Sequence, residues 1–177
     1  MRRTLLILVA STSPLLAQEQ QSADLRSGVA TAKSVWLMAH DYVIRSAEQV
    51  PESLYSFKPT PEVRSLGALF AHVADGERLL CTMSKGEQPK MDPKLAVEGN
   101  KTTKADILQA LRDAASYCES AYAQSDAAVL NAPVNFFGRP VTRMWTLNFN
   151  GAHTFEHYGN IVTYMRMKGM TPPSSQR

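Results

Sequence analysis

The chain has 177 residues, of which 44% are hydrophobic and 20% charged, and this balance predicts one globular domain with a full apolar core. The formal net charge of +3 falls to +1 once Arg2 and Arg3 are set aside with the first segment, because 17 basic and 16 acidic residues remain. Since no cluster of Lys and Arg with interleaved aromatics is left, we expect no nucleic-acid partner.

The first segment has the three parts of a secretory signal peptide. A basic start, MRR, is followed by the apolar run TLLILVASTSPLLA, and Ala17 suits the cleavage position. Polar residues interrupt the run, which falls short of the ~20 apolar residues that span a bilayer. We therefore predict residues 1–17 as a signal peptide, residues 18–177 as the mature domain, no stable membrane span after cleavage, and export to a bacterial periplasm.

Two long segments with helical spacing of apolar residues occupy the first half of the mature chain. The first is predicted from about Asp24 to Gln49, where Pro51 prevents the helical ladder from continuing. After a proline-containing linker, Ser65 is predicted to cap a second helix, LGALFAHVADGERLLCTMSKG, which ends at Gly86.

Two more helices are predicted in the second half. Thr103 and Asp106 form a capping-box pattern that opens the third helix. The fourth runs from about Thr142 to Lys168, and Gly169 suits its C-terminal end. The stretch between these helices, DAAVLNAPVNFFGRPVTR, contains two prolines and a glycine. It has room for a short extended or turn segment and is predicted as a long loop.

The predicted elements define the fold class. Four helices without sustained period-2 alternation indicate an all-α protein, and their lengths predict a four-helix bundle. The loops after the second and third helices are long enough to cross the bundle. We therefore predict a four-helix bundle with long crossover loops, for which a simple up-down topology does not follow.

The two cysteines would meet an oxidising compartment after export. Cys81 lies in the second predicted helix and Cys118 in the third. The simpler expectation is two separate small core residues, and the alternative is a disulfide that joins the two helices. The sequence leaves both open because it does not fix the distance between the Cα atoms.

Three of the four histidines form a candidate metal site. His153 and His157 lie four residues apart in the fourth predicted helix, so their rings share one face and can bind the same divalent ion. His72 lies among apolar residues in the second helix, where a buried ring must satisfy both nitrogens. A shared ion would satisfy all three rings and keep one coordination position open, as in catalytic zinc sites. The alternative is three histidines that only pack in the core.

The chain resembles the DinB-like (DinB/YfiT) superfamily of metal-binding four-helix bundles. The resemblance rests on an H-x-x-x-x-E stretch, His72 to Glu77, and on the pattern HTFEHYGNIVTYMR near the C-terminus. It covers about Ser34 to Lys168. It implies that His72, His153 and His157 bind one divalent metal ion, zinc or nickel, and that the protein pairs as a homodimer through a helix face.

The resemblance does not fix a reaction. Some relatives are thiol transferases or isomerases, others are suspected hydrolases, and the cytosolic thiols that the transferases use argue against that activity in an exported protein. The segment HTFEH also fits the H-x-x-E-H signature of inverted zincins, with Glu156 as the base. Those proteases need a further ligand downstream, and no acidic residue follows His157, so we interpret the match as coincidence.

Other polar residues are assigned lesser roles. We expect His40 to be a hydrogen-bonded, partly buried residue. Asp75 is either an orienting partner for a ligand or a solvated side chain. Asn150 and Tyr164 are candidates to line the same pocket. We name no catalytic residue.

Two functions follow from this interpretation. The first is an exported, metal-dependent hydrolase or transferase that acts on an unknown small molecule. The second is a non-catalytic metal-binding or stress-related envelope protein. Imidazole ligands suit several metals, so the ligand set alone does not choose the ion.

Overall fold

The computed structural model describes residues 14–90 and 92–176. Most of the predicted signal peptide, residues 1–13, lies outside the described residues. The described chain forms five helices, one two-stranded sheet and two short 3-10 turns at Glu52–Leu54 and Pro173–Ser175. The helices and strands are α1 (Pro14–Gln49), α2 (Leu66–Ser84), α3 (Lys104–Tyr122), α4 (Ala127–Asn131), β1 (Pro133–Phe136), β2 (Arg139–Thr142) and α5 (Arg143–Met167).

Helix α1 is longer than the sequence predicts. It begins at Pro14 instead of near Asp24, so the last four residues assigned to the signal peptide continue into the helix. Proline is well suited to the first turn of a helix because its fixed φ is helical and its missing N–H has no partner there. The predicted end at Gln49 is confirmed, and Pro51 follows in extended backbone.

The predicted helix caps are present. The Ser65 hydroxyl accepts a hydrogen bond from the Ala68 backbone N–H at the start of α2. The Thr103 hydroxyl accepts from the Asp106 N–H and so caps α3, while it donates to the Asp106 carboxylate. The bond from the Thr103 backbone N–H to that carboxylate, which would complete a capping box, is not among the hydrogen bonds of the described residues. Gly169 has a φ of 72° just beyond α5, the left-handed conformation expected of a glycine that ends a helix.

The long helices α1, α2, α3 and α5 pack as a bundle in which α2 and α3 run in the same direction. Gly86 lies against Arg143 and Gly76 against His153, so α2 is antiparallel to α5. Gly151 of α5 lies against Trp36 of α1, where the two helices run parallel. Helix α3 runs antiparallel to α1, since ion pairs join Lys33 to Glu119 and Glu48 to Arg112.

The parallel arrangement of α2 and α3 requires the loop between them to return along the whole bundle. Residues 85–90 and 92–103 belong to this crossover, which confirms the expectation that a simple up-down topology does not apply. Asp75 of α2 accepts hydrogen bonds from the backbone N–H groups of Val97 and Glu98, both at 2.8 Å. The returning loop is therefore fixed against α2 midway along that helix.

The segment predicted as a long loop before α5 is partly ordered into α4 and the β1–β2 hairpin, and that prediction is corrected. The strands pair antiparallel, with Phe136 opposite Arg139, and only Phe137 and Gly138 connect them. Both connecting residues have positive φ, 48° and 87°, the combination found in type I′ hairpin turns. Sequence reasoning missed the hairpin because Phe replaces the usual Asn or Asp in the first position of the turn.

The core lies between the four long helices, and a disulfide crosses one side of it. Cys81 of α2 and Cys118 of α3 are bonded, with their Cα atoms 5.3 Å apart. The expectation of two separate core cysteines is therefore wrong. The parallel packing of α2 and α3 brings the two residues to the same level of the bundle, which their spacing in the sequence does not reveal. No helix among the described residues is long and apolar enough to span a membrane.

Candidate metal centre

The structure brings His72, His153 and His157 together at one place between α2 and α5. One ring nitrogen from each lies within 4.8 Å of the others. The ring centroids are 4.6 Å apart for His72 and His157, 5.4 Å for His72 and His153, and 4.5 Å for His153 and His157. The antiparallel packing of α2 and α5 places the middle of one helix against the middle of the other. His72 therefore shares one site with His153, 81 positions later in the sequence, and with His157, four positions beyond that.

The rings of His153 and His157 face each other through their Nε2 atoms, which are 3.1 Å apart. Their Nδ1 atoms are buried and have no hydrogen-bond partner among the described residues. The four ring nitrogens can form at most one hydrogen bond with each other, between the two Nε2 atoms. The hydrogen-bonding capacity of both Nδ1 atoms therefore stays unused. A cation would give the lone pairs of both facing Nε2 atoms a favourable partner, and the residues present fit that role.

His72 is oriented by a carboxylate that the crossover loop supplies. Its Nδ1 lies 2.8 Å from the Glu98 Oε2, which leaves Nε2 as the free ring nitrogen. The other Glu98 oxygen accepts a hydrogen bond from Arg64 Nε at 2.7 Å. Carboxylates that bind the far nitrogen of a metal-ligating imidazole fix its tautomer and raise its basicity. Glu98 therefore supports His72 as a ligand.

Neither Glu98 nor its partner Asp75 was predicted in these roles. Asp75 does not contact a candidate ligand; it binds the loop backbone that carries Glu98. Glu98 follows His72 by 26 positions in a loop without periodicity. No sequence signal identified it, because its position depends on the path of the crossover loop.

The electrostatic environment keeps His153 and His157 neutral. Burial, together with the His157 and His72 rings, lowers the pKa of His153 to about 4. Burial and His72 also lower the pKa of His157. Burial alone would raise the pKa of Glu98, but the hydrogen bonds from Arg64 and His72 outweigh it and lower that pKa. At neutral pH His153 and His157 are therefore neutral, the protonation state that metal binding requires of an imidazole.

Gly76 makes room for the His153 ring. A Cβ atom at position 76 would lie 2.4 Å from His153 Cε1 and 2.9 Å from Nδ1. Glycine in a helix interior costs about 1 kcal/mol relative to alanine. The close approach of the ring provides a packing reason for that glycine, which sequence reasoning did not assign.

A second polar cluster lies beside the histidines but does not join them. The Glu77 carboxylate is fully buried and accepts hydrogen bonds from Trp36 Nε1 at 3.0 Å and from Thr154 Oγ1 at 3.3 Å. His40 Nδ1 lies 3.0 Å from Glu77 Oε2, so the predicted hydrogen bonding of His40 is confirmed, and the residue is buried where the sequence predicts partial burial. Burial lowers the pKa of His40, but the hydrogen bond to Glu77 and its charge outweigh burial and raise it.

The remaining candidates form no hydrogen bond with the three histidines among the described residues. Asn150 is buried against the disulfide and Tyr122, and Tyr164 donates to the backbone carbonyl of Arg64. That Asn150 and Tyr164 line the same pocket stays a prediction. Glu156 is exposed on α5. Its position agrees with the interpretation of HTFEH as a coincidental match.

Comparison with known proteins places the chain among related bundles. A sequence model described as the DinB superfamily matches residues 37–161. A DinB-like protein from Bacillus subtilis has 21% identity and a TM-score of 0.64, with 83% of this chain and 99% of that one covered. A DinB-like protein from Bacillus cereus has 19% identity and a TM-score of 0.66, with 80% and 93% covered. No curated protein matches the sequence significantly.

A third solved structure agrees with these two. A conserved protein from Enterococcus faecalis has 17% identity and a TM-score of 0.64, with 78% of this chain and 95% of that one covered. At these identities the likeness is one of fold. The matched segment includes all three histidines of the cluster and excludes the first part of α1.

Proposed function

The chain belongs to the DinB superfamily, and on that premise we propose that it binds one divalent metal ion through His72, His153 and His157. The observation that carries the proposal is the convergence of three imidazole rings, two of which have buried nitrogens without a hydrogen-bond partner among the described residues. We propose zinc or nickel because these are the metals that the resemblance to DinB-like proteins implies, and imidazole nitrogens suit both.

The geometry of the cluster supports the proposal. Two imidazole nitrogens bound to one zinc lie about 3.3 Å apart, given zinc–nitrogen bonds of about 2.0–2.1 Å in a tetrahedral site. The facing Nε2 atoms of His153 and His157 are already 3.1 Å apart. His72 presents its Nε2 from the opposite helix with Glu98 behind it. Little rearrangement would be needed to bring the three rings to one ion.

The same arrangement favours a role in chemistry on a small molecule. Three protein ligands leave a coordination position free, as in hydrolytic zinc sites, whereas structural zinc sites use four. When bound, the ion would supply a Lewis acid for a carbonyl group or an anchor for a thiolate. Glu98 and Arg64 would hold His72 in place, and burial would keep His153 and His157 unprotonated. We propose a metal-dependent hydrolase or transferase, with a non-catalytic metal-binding envelope protein as the alternative.

We also propose that the protein is exported, on the strength of the predicted signal peptide and the disulfide. Disulfides persist in oxidising compartments and are rare in the cytosol. The Cys81–Cys118 bond joins two core helices of this chain. Fractionation of cells that produce the full chain would test the proposal. Mature protein that begins near Gln18 in the periplasm is the expected result, and an uncleaved cytosolic chain would contradict it.

Elemental analysis tests the metal site directly. Protein purified without a histidine tag is expected to carry about one metal ion per chain, and His157→Ala is expected to carry almost none. His40→Gln is the matched control, because it removes the other buried imidazole while leaving the three-histidine cluster intact. Equal metal content in the wild type and His157→Ala would overturn the proposed site.

A second measurement separates the enzyme from the binding protein. The metal-loaded protein is tested with small esters, amides and thiol conjugates before and after chelation. Turnover that disappears with the chelator and returns with the metal supports the enzyme. Full metal occupancy without turnover of any of these compounds supports the non-catalytic alternative.

A further inference from the structure

A row of aromatic side chains on α5 leads directly to the candidate metal centre. Trp145, Phe149, His153 and His157 follow one another at intervals of four residues. Residues at this spacing share one face of a helix. The face that carries two of the three candidate metal ligands therefore continues toward the N-terminal end of α5 as two large aromatic rings.

These rings pack on one another and on the hairpin. Trp145 and Phe149 are stacked, with centroids 4.8 Å apart and planes inclined by 12°. Phe136 of β1 closes the group, 4.9 Å from Trp145 and 5.3 Å from Phe149. The Phe149 centroid is 6.1 Å from that of His153. We call Phe136, Trp145 and Phe149 the aromatic cluster.

The aromatic cluster is separate from the hydrophobic core. Within the described part of the chain, none of its three residues belongs to either cluster of buried core residues or packs against one as a partly buried neighbour. All three remain partly exposed. Aromatic side chains contribute most to stability when they are fully buried, so three of them on a partly exposed face point to a role in binding.

The hairpin turn beside the cluster supports this interpretation. Phe137 has a φ of 48° and is 64% exposed, and its ring centroid is 4.9 Å from that of Phe136. A left-handed conformation is unfavourable for a bulky residue without a local side-chain hydrogen bond. The turn thus retains an exposed aromatic ring in a conformation that Asn or Gly would adopt more easily.

We propose that the aromatic cluster binds a planar apolar group of the small molecule whose donor atom occupies the open position at the metal. The inference rests on the proposed function and specifies its substrate class: a compact aromatic or similarly flat compound that carries a metal-binding carbonyl, thiolate or hydroxamate group. Phe149 acts as a specificity-determining residue because its ring is the one next to His153.

The short distance between the aromatic cluster and the metal ligands favours a small molecule over a protein partner. A separation of 6.1 Å between the Phe149 and His153 rings is about the size of one aromatic ring with its first substituent atoms. A ligand of that size can stack on Phe149 and reach the three imidazoles at the same time. A second copy of the chain on this face would instead appear in the test below as a concentration-dependent dimer.

Two hydroxamic acids provide the probe. Benzohydroxamate and acetohydroxamate bind metals through the same group and differ in the phenyl ring. In calorimetric titrations of zinc-loaded wild-type protein, benzohydroxamate is expected to bind about tenfold more tightly, the contribution of one well-placed aromatic contact. Phe149→Leu is expected to reduce this preference to about twofold. Phe155→Leu, six residues further along α5, is the matched control and is expected to retain it.

A spectroscopic readout accompanies the titration. The indole N–H signal of Trp145 is expected to shift when benzohydroxamate binds, and to stay in place with acetohydroxamate. Trp36, which is fully buried and bonded to Glu77, serves as the internal control and should not respond to either compound.

The possible failures are distinguishable. Wild-type protein that takes up neither zinc nor nickel overturns the proposed function and, with it, the inference. Zinc-loaded protein that binds both hydroxamates equally overturns only the inference, as does a preference that survives Phe149→Leu. Zinc-loaded protein that binds neither compound, or a concentration-dependent dimer that Phe149→Leu abolishes, also overturns the inference because another group then occupies this face.

Discussion

Two polar clusters lie side by side between α2 and α5, and they differ in how fully their members are paired. In the Glu77 cluster the carboxylate accepts hydrogen bonds from Trp36 and Thr154 and pairs with His40, so each group has a protein partner. In the histidine cluster the Nδ1 atoms of His153 and His157 lack partners within the described residues, and two Nε2 atoms face each other.

The comparison shows how to distinguish a structural polar cluster from a binding site. Buried polar groups that satisfy one another stabilise and specify the packing of helices, and nothing further is needed to explain them. Buried nitrogens that lack a hydrogen-bond partner are unfavourable, and helix packing alone does not explain them. We therefore assign the Glu77 cluster to the stability of the fold and infer a binding role for the histidine cluster. The sequence alone does not make this distinction between His40 and His153.

The largest expected effect comes from Glu77. Replacement of this buried carboxylate by alanine leaves Trp36 Nε1 and His40 Nδ1 without their partner, and loss of one member of a buried charged pair costs about 3–5 kcal/mol. Urea unfolding of metal-free Glu77→Ala is expected to show a loss of that size in the free energy of unfolding.

The control for this prediction is Glu119→Ala, which removes an exposed ion pair with Lys33 that also joins two helices. Exposed pairs contribute less than about 1 kcal/mol. Equal losses in the two variants would contradict the assignment of Glu77 to the fold.

Substitution of Glu98 is expected to change metal affinity and not the stability of the fold. Glu98→Gln keeps the size of the side chain but removes the charge that orients His72, and loss of such a partner typically weakens metal binding by about 10–100-fold. Competition with a chromophoric chelator would measure the change. Glu156→Gln, which removes an exposed charge near His157 without a hydrogen bond to any of the three imidazoles, should leave zinc affinity within about twofold of the wild type.

The two clusters should also respond to pH in opposite directions in the metal-free protein. His153 and His157 have pKa values below that of an unfolded histidine, 6.5. As pH falls, the unfolded chain therefore binds more protons than the folded chain, and the free energy of unfolding decreases. His40 has a raised pKa, so its contribution is fully present below pH 6.5 and is lost as pH rises through its folded value. Stability should therefore be greatest near pH 6.5.

The acid side of this profile gives a measurable prediction. Between pH 6.5 and 5, above the range where most carboxylates titrate, the free energy of unfolding is expected to fall by about 1 kcal/mol after allowance for partial exposure of the two rings. His153→Gln should flatten this part of the profile. A profile that stays equally steep in His153→Gln would show that other groups cause the acid sensitivity.

Much of the fold could be predicted from the sequence because it depends on local patterns. Capping at Ser65 and Thr103 and the end of α5 at Gly169 follow from backbone chemistry within a few residues. The hairpin could not be predicted, because Phe137 occupies a turn position that favours Asn or Gly. The disulfide could not either, since it depends on the parallel packing of α2 and α3.

The site divides in the same way. The i, i+4 spacing of His153 and His157 follows from helix geometry, and the structure brings His72 to them as predicted. Whether the three bind a metal stays a prediction. Glu98 was missed because its role depends on the course of a loop, and Gly76 because its role depends on the distance between two helices. Local sequence patterns predict neither.

Gly76 adjoins both clusters, since it precedes Glu77 in sequence and lies against His153 in space. A substitution at this position therefore tests the difference between the two clusters. Gly76→Ala gains up to about 1 kcal/mol of helix propensity but places a Cβ where the His153 ring lies. Because the ring is at the end of a side chain, it can move aside, so we expect a change in the free energy of unfolding of less than about 1 kcal/mol together with weaker zinc binding. Gly159→Ala in α5, where nothing lies within 4 Å of the new Cβ, should gain the same propensity and keep full zinc affinity. Equal zinc affinity in the two variants would mean that the position of the His153 ring does not affect metal binding. The distinction between a structural cluster and a binding cluster would then be contradicted at Gly76, which contacts one and adjoins the other.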